Sequence, residues 1–131
     1  MDTIIILAVD DEPLILRAVE RTLARVGTVV RAASVERALS LLEEHEVDVA
    51  VLDFHVGSSL DVLVRALQKR GVPFFFYTGS PAAARRAYPS VAILSKGEEG
   101  LREAVARHSQ TKEPSKTRGR RGRAAATDDE S

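Results

Sequence analysis

The sequence contains no cysteine. That absence removes disulfides, thiol nucleophiles and thiolate-ligated metal centres. Neither sign of charge is in excess, with Lys+Arg and Asp+Glu at 19 each. The balance excludes a wholly basic nucleic-acid binder and an acidic disordered chain. No segment approaches the roughly 18 apolar residues of a membrane helix, so no membrane insertion is expected. No basic segment precedes the first apolar run, Ile4–Val9, which stops at a pair of acids. That is a poor secretory signal, and the expectation is a cytoplasmic protein. The three histidines, His45, His55 and His108, are too scattered for a zinc site.

The chain has 131 residues, 44% of them hydrophobic, enough for one domain with a core. Its end is different in kind. From Thr111 to Ser131 there is no Val, Ile, Leu, Met, Phe, Tyr or Trp. Such a stretch has nothing to bury against its ordering entropy. The sequence therefore reads as a folded domain over 1–109 and a disordered, charged tail over 110–131. Charge in the tail is blocky, with Lys112, Lys116, Arg118, Arg120, Arg121 and Arg123 basic and Asp128, Asp129 and Glu130 closing it as acids. It offers no aromatic residue to stack bases and no recognition helix, which favours a solubilising end over nucleic-acid binding.

Within the domain, short apolar runs at Ile4–Val9, Thr28–Arg31, Val49–Leu52, Pro73–Tyr77 and Val91–Leu94 read as strands. Stretches with helical spacing lie between them. Ile15, Val19, Leu23 and Val26 form one stripe, and Val35, Ala38, Leu39 and Leu42 a second. Leu60, Leu63, Val64 and Leu67 form a third, and Leu101, Ala104, Val105 and His108 a shorter one. Pro81–Tyr88 is a helix with little apolar face. Asp11, Ser34 and Ser58-x-x-Asp61 are the expected helix starts, and Gly27 and Gly71 the expected helix ends. His45 and His108 are expected to be solvated. Five strand–helix alternations predict an α/β fold, a doubly wound parallel (βα)5 sheet with helices on both faces.

A ligand site in such a sheet lies beyond the carboxyl ends of the strands. Asp10, Asp11 and Glu12 follow the first run, Asp53 the third, Thr78 and Gly79 the fourth, and Ser95 and Lys96 the fifth. Singly, each has an ordinary reading: acids before a helix cap it, a lysine is solvated, a threonine turns the chain. Together they place three carboxylates, one ammonium and one hydroxyl at one edge. Three carboxylates in a cleft repel one another and call for a hard cation such as Mg²⁺. A carboxylate can act as nucleophile toward a phosphoryl group, with metal and lysine offsetting the developing charge.

The order Asp-Asp, Asp, Thr, Lys at successive strand ends resembles the receiver domain of two-component response regulators. The resemblance covers roughly residues 3–108. RGVPFFFYTG, with Phe76-Tyr77-Thr78-Gly79, is similar to the Phe-Ala-Thr-Gly subset of stand-alone receivers. The resemblance implies a flavodoxin-like sheet in strand order 2-1-3-4-5. It implies Asp53 as phosphoacceptor, and Mg²⁺ held by Asp10, Asp11, Asp53 and the backbone carbonyl of His55. It makes Thr78 the switch hydroxyl and Lys96 the conserved-type lysine. The expected partners are a histidine kinase or histidine phosphotransferase and a downstream protein that the sequence does not identify. The chain would catalyse only its own phosphoryl transfer and dephosphorylation, and so is not expected to be an enzyme in the usual sense. No apolar segment after His108 supplies an output domain, so output is expected through binding or relay.

The sequence departs from the family at Gly97, where Pro is usual after the lysine, and at Ile93, where an aromatic is usual. The loop Val56-Gly57-Ser58-Ser59 also lacks the usual Pro. Tyr77 and Tyr88 are candidates to replace the missing ring. These departures motivate the alternative, a degenerate receiver-like interaction module that is not phosphorylated. A carboxylate-nucleophile phosphatase is disfavoured because His55 stands where its second acid belongs. A flavin protein is disfavoured by the acids in the first loop.

Overall fold

The structure is a computed structural model that describes residues 3–111. Apart from Gln110 and Thr111, which form a turn after the last helix, the tail read from the sequence lies outside the described residues. The elements alternate without exception. They are β1 (Ile4–Val9), α1 (Pro13–Leu23), β2 (Gly27–Ala32), α2 (Val35–Glu44), β3 (Val49–Leu52), α3 (Leu60–Lys69), β4 (Phe74–Thr78), α4 (Pro81–Ala87), β5 (Ile93–Ser95) and α5 (Leu101–Ser109). The strands form one parallel sheet in the order β2-β1-β3-β4-β5. This is the flavodoxin-like (βα)5 arrangement.

Successive side chains of a strand point to opposite faces, and both faces here are covered. Leu7, Val9, Ala50, Leu52 and Phe76 pack with Ala38, Leu42, Leu63 and Leu67 of α2 and α3. Ile6, Ala8, Val49, Val51 and Phe75 pack with Leu16, Val19 and Leu23 of α1 and Val105 of α5. The stripes on α3 and α5 bury as their spacing predicts. On α1 and α2 the buried faces take Leu16 and Leu41 instead of the expected Ile15 and Leu39, which are only half-buried, and Val26 lies beyond the end of α1. His108 is not solvated: it is half-buried on the Phe75 ring, centroids 4.8 Å apart. Its Nδ1 lies 2.8 Å from the Ala104 carbonyl oxygen.

Several local expectations are corrected. Ser34 does cap α2, accepting the Arg37 N–H at 3.1 Å. Asp11 does not cap α1; Glu12 occupies that position without a side-chain bond. Asp10 instead takes the Glu12 N–H at 2.9 Å, turning the chain one residue earlier. The box expected at Ser58 and Asp61 does not form, because Ser59 is the cap residue and uses only its backbone. Asp61 is occupied by Arg65 at 2.7 Å and by the Tyr88 hydroxyl at 3.2 Å. Gly71 closes α3 as expected, with its N–H on the Gln68 carbonyl and the Val72 N–H on that of Leu67.

Gly27 does not end a helix. It is the first residue of β2, opposite Ile4 of β1. A Cβ there would stand 2.5 Å from the Ile4 carbonyl oxygen and 2.6 Å from its Cγ1. The residue is needed for close strand approach. Alanine normally improves on glycine within a strand. Here Gly27→Ala is expected to destabilise by about 1–3 kcal/mol, the usual cost of overpacking, read as a lower urea midpoint.

Candidate functional site at the carboxyl edge

Asp10, Asp53 and Thr78 are placed by largely buried strands that run into the edge, and Lys96 by the half-buried β5. Backbone bonds anchor the exits: Asp10 N–H donates to the Ala32 carbonyl at 3.1 Å and Asp53 N–H to that of Val9 at 2.9 Å. Asp10 and Asp53 are thus held adjacent at the ends of β1 and β3. Both are buried, 4% and 6% exposed, while Asp11 is exposed. One carboxylate oxygen from each of Asp10, Asp11 and Asp53 lies within 4.8 Å of the other two.

Lys96 enters from the end of β5, and its N–H donates to the Thr78 carbonyl at 2.8 Å. Its Nζ lies 2.7 Å from Asp10 Oδ2, 3.6 Å from Asp53 Oδ1 and 3.8 Å from Glu12 Oε1. Burial alone pulls the ammonium pKa down. The hydrogen bond to Asp10 and the charges of Asp53, Asp10 and Glu12 together outweigh it, so the value stands above the ordinary 10.5. A raised folded value means that the stabilisation from Lys96 is whole below 10.5 and is lost as pH rises through the folded value. Urea midpoints are expected to fall in that alkaline window, and to fall less in Lys96→Met.

The Lys96 turn has its own lock. Gly97 has φ 93°, a left-handed value that proline cannot adopt. Glu98 N–H donates to the Ser95 carbonyl at 3.0 Å, and Ser95 N–H donates to Glu98 Oε1 at 2.9 Å. Glycine at the third position of a four-residue turn is the type II pattern. The two reciprocal bonds fix the lysine's backbone where a proline lock is absent.

Thr78 is fully buried at the end of β4 and pairs with Ser95 across the sheet. Its Oγ1 accepts the Ser80 N–H at 3.1 Å, which leaves the hydroxyl hydrogen to donate elsewhere. His55 is exposed, its ring edge-on to Phe54 at 5.1 Å. The structure therefore brings Asp10, Asp11, Asp53 and Lys96 together. It sets Thr78 beside the lysine and leaves the His55 side chain outside the cluster. Glu12, present in the sequence reading only as a strand-end acid, joins as a partner of Lys96. Its position directly after the acidic pair was the available signal.

Three carboxylates against one ammonium leave the cluster electron-rich. The donors are all oxygen, two of the three acids are buried, and their spacing is compact. That set fits a hard divalent cation such as Mg²⁺ and does not suit a soft metal.

No family profile and no curated protein matches the sequence. Solved structures do. The BeF3-activated SdrG of Pseudomonas melonis Fr1 is 28% identical, with TM-score 0.63, covering 84% of this chain and 98% of that one. The response regulator TrrA of Thermotoga maritima, in complex with Mg²⁺-BeF, is 24% identical with TM-score 0.68, covering 79% and 97%. A receiver domain protein from Clostridium thermocellum is 23% identical with TM-score 0.69, covering 82% and 94%. Among the described residues no helix is long and apolar enough to cross a membrane. With its strand order, five helices and acidic carboxyl edge, the chain has the receiver-domain fold of response regulators.

Proposed function

We propose that the protein is a phosphoacceptor receiver, taking a phosphoryl group onto Asp53 from a phosphohistidine on a histidine kinase or histidine phosphotransferase. The observation that carries this reading is the cluster itself. Asp10, Asp11 and Asp53 stand within 4.8 Å of one another, and Lys96 reaches both Asp10 and Asp53. An Asp53 carboxylate oxygen attacks phosphorus, and an O–P bond forms as the N–P bond of the donor breaks. Asp10, Asp11, Asp53 and the His55 carbonyl would hold Mg²⁺, which supplies charge neutralisation for the transferred group. Lys96 pairs with phosphoryl oxygens, and Thr78 donates its free hydroxyl hydrogen to one of them. Hydrolysis at the same site then returns the carboxylate. Output passes to a downstream protein that binds one of the two states, or onward by relay. This is signalling chemistry in the cytoplasm rather than turnover of a substrate.

The test is intact-mass spectrometry after incubation with Mg²⁺ and acetyl phosphate or phosphoramidate. One phosphoryl adduct is expected on the wild type and none on Asp53→Asn. An adduct that persists on Asp53→Asn would overturn the assignment. Absence of an adduct, together with no Mg²⁺-induced change in thermal stability, would favour the unphosphorylated interaction module.

A further inference from the structure

Glu98 has no part in the phosphoacceptor reading, yet its carboxylate is built into the turn that carries Lys96. It is exposed and lies between β5 and the start of α5. Among the described residues it enters no ion pair. Its Oε1 instead accepts the Ser95 N–H at 2.9 Å. Ser95 is the last residue of β5, and β5 is an edge strand of the sheet. Along an edge strand, alternate N–H groups face the neighbour and the open side. The Lys96 N–H faces inward and donates to the Thr78 carbonyl at 2.8 Å. The Ser95 N–H faces the open side, and Glu98 supplies the acceptor that a further strand would have supplied.

Lys96 is thereby held at both ends. Its tip rests on Asp10 at 2.7 Å, with Asp53 at 3.6 Å and Glu12 at 3.8 Å. Its root is fixed on the sheet side by Thr78 and on the open side by Glu98, whose own N–H returns to the Ser95 carbonyl at 3.0 Å. The tip has to move in the reaction, because oxygens added to Asp53 draw the ammonium away from Asp10. A lysine stem is a flexible four-carbon chain, so a fixed root is what limits where the ammonium can go. Gly97, at φ 93°, lets the turn form but adds no stiffness to it. Ser95 Oγ adds only a long contact to the Lys96 carbonyl, at 3.4 Å.

We propose that Glu98 is a positioning residue for phosphoryl transfer, its carboxylate clamping the turn so that the Lys96 ammonium reaches the oxygens carried by Asp53. The inference rests on the phosphoacceptor reading and adds to it a residue outside the acidic cluster. Glu98 acts only through Lys96 and takes no part in bond making or breaking. The clamp needs an acceptor oxygen at the Ser95 N–H rather than a negative charge. Glutamine can provide that oxygen on a stem of the same length, and alanine cannot.

Labelling rates from mass-spectrometric time courses, with Mg²⁺ and phosphoramidate, test this in two backgrounds. Glu98→Ala is expected to label about tenfold more slowly than wild type, since a small misplacement of an acting group costs rate. Glu98→Gln is expected to stay within about threefold of wild type, losing only the charge assistance of the bond. In Lys96→Met, adding Glu98→Ala is expected to change nothing further, because the ammonium it positions is gone. Amide hydrogen exchange gives a second readout that needs no phosphodonor. In Glu98→Ala the Ser95, Lys96 and Glu98 amides are expected to exchange at least about tenfold faster, while those of Leu7 and Leu52 in the core keep their wild-type rates. Wild-type labelling by Glu98→Ala overturns the proposal. So does an equal slowing in the Lys96→Met background, a Glu98→Gln as slow as Glu98→Ala, or unchanged exchange at Lys96. A wild type that takes no label overturns the phosphoacceptor reading and this role with it, and faster exchange would then leave Glu98 as a clamp of the turn alone.

Discussion

Lys96→Met is expected to slow phosphoryl labelling of Asp53 by at least about 100-fold, the usual loss when one preorganised charge donor leaves a site of developing anionic charge. Lys96 Nζ is 3.6 Å from Asp53 Oδ1, close enough to reach an oxygen added there. Methionine keeps the length of the stem and removes only the charge and its donors. The same variant is expected to bind Mg²⁺ more tightly. Lys96 already occupies Asp10 Oδ2 at 2.7 Å, so cation and lysine compete for one carboxylate. Removing the ammonium leaves Asp10, Asp11 and Asp53 without their internal countercharge and raises the field at the metal position. Mass spectrometry against time gives the labelling rate, and the rise in Tm with added Mg²⁺ gives the affinity. Slow labelling with tighter metal binding separates a charge role from a collapsed site. Loss of both would mean that Lys96 is needed mainly to hold the acids in place.

Legibility in the sequence followed physical scale. The alternation of IIILAV, VAVL and FFFYT with helical stripes was readable because burial on both sheet faces demands near-continuous apolar strands. The clustering of Asp10, Asp53 and Lys96 was readable because topology alone sends every strand's carboxyl end to one edge. What escaped was decided by contacts distant in sequence. Gly27 has the look of a helix stop, yet its reason is the Ile4 carbonyl on the neighbouring strand. Asp61 looks like half of a capping box, yet Tyr88, 27 residues on, takes its oxygen. His108 looks like the polar edge of a helix, yet Phe75 gives it a ring to lie on. Local pattern names the element; which neighbour claims a side chain is set by the assembled fold.

The aromatic packing behind the site carries the second large expectation. Phe76→Ala should cost about 3–5 kcal/mol, the usual range for deleting a core aromatic side chain. Against a total of about 5–15 kcal/mol for a small domain, that is a substantial fraction of the stability. Phe76 is fully buried on β4, an interior strand, paired with Leu52 of β3 and Ile93 of β5. Its ring meets Tyr88 at 5.3 Å, Phe54 at 5.8 Å and Phe74 at 6.3 Å. Phe74, only half-buried on the same face, should cost distinctly less when truncated, because water already reaches it. The comparison of urea midpoints for the two variants checks the ranking. The functional consequence comes through Phe54, which directly follows Asp53 and rests edge-on against the Phe76 ring. With that ring gone, the loop leaving Asp53 loses its support, and labelling of Asp53 should slow even under conditions where the variant is fully folded. Unchanged labelling in folded Phe76→Ala would show that the backbone bond from Asp53 to Val9 alone is enough to fix the acceptor.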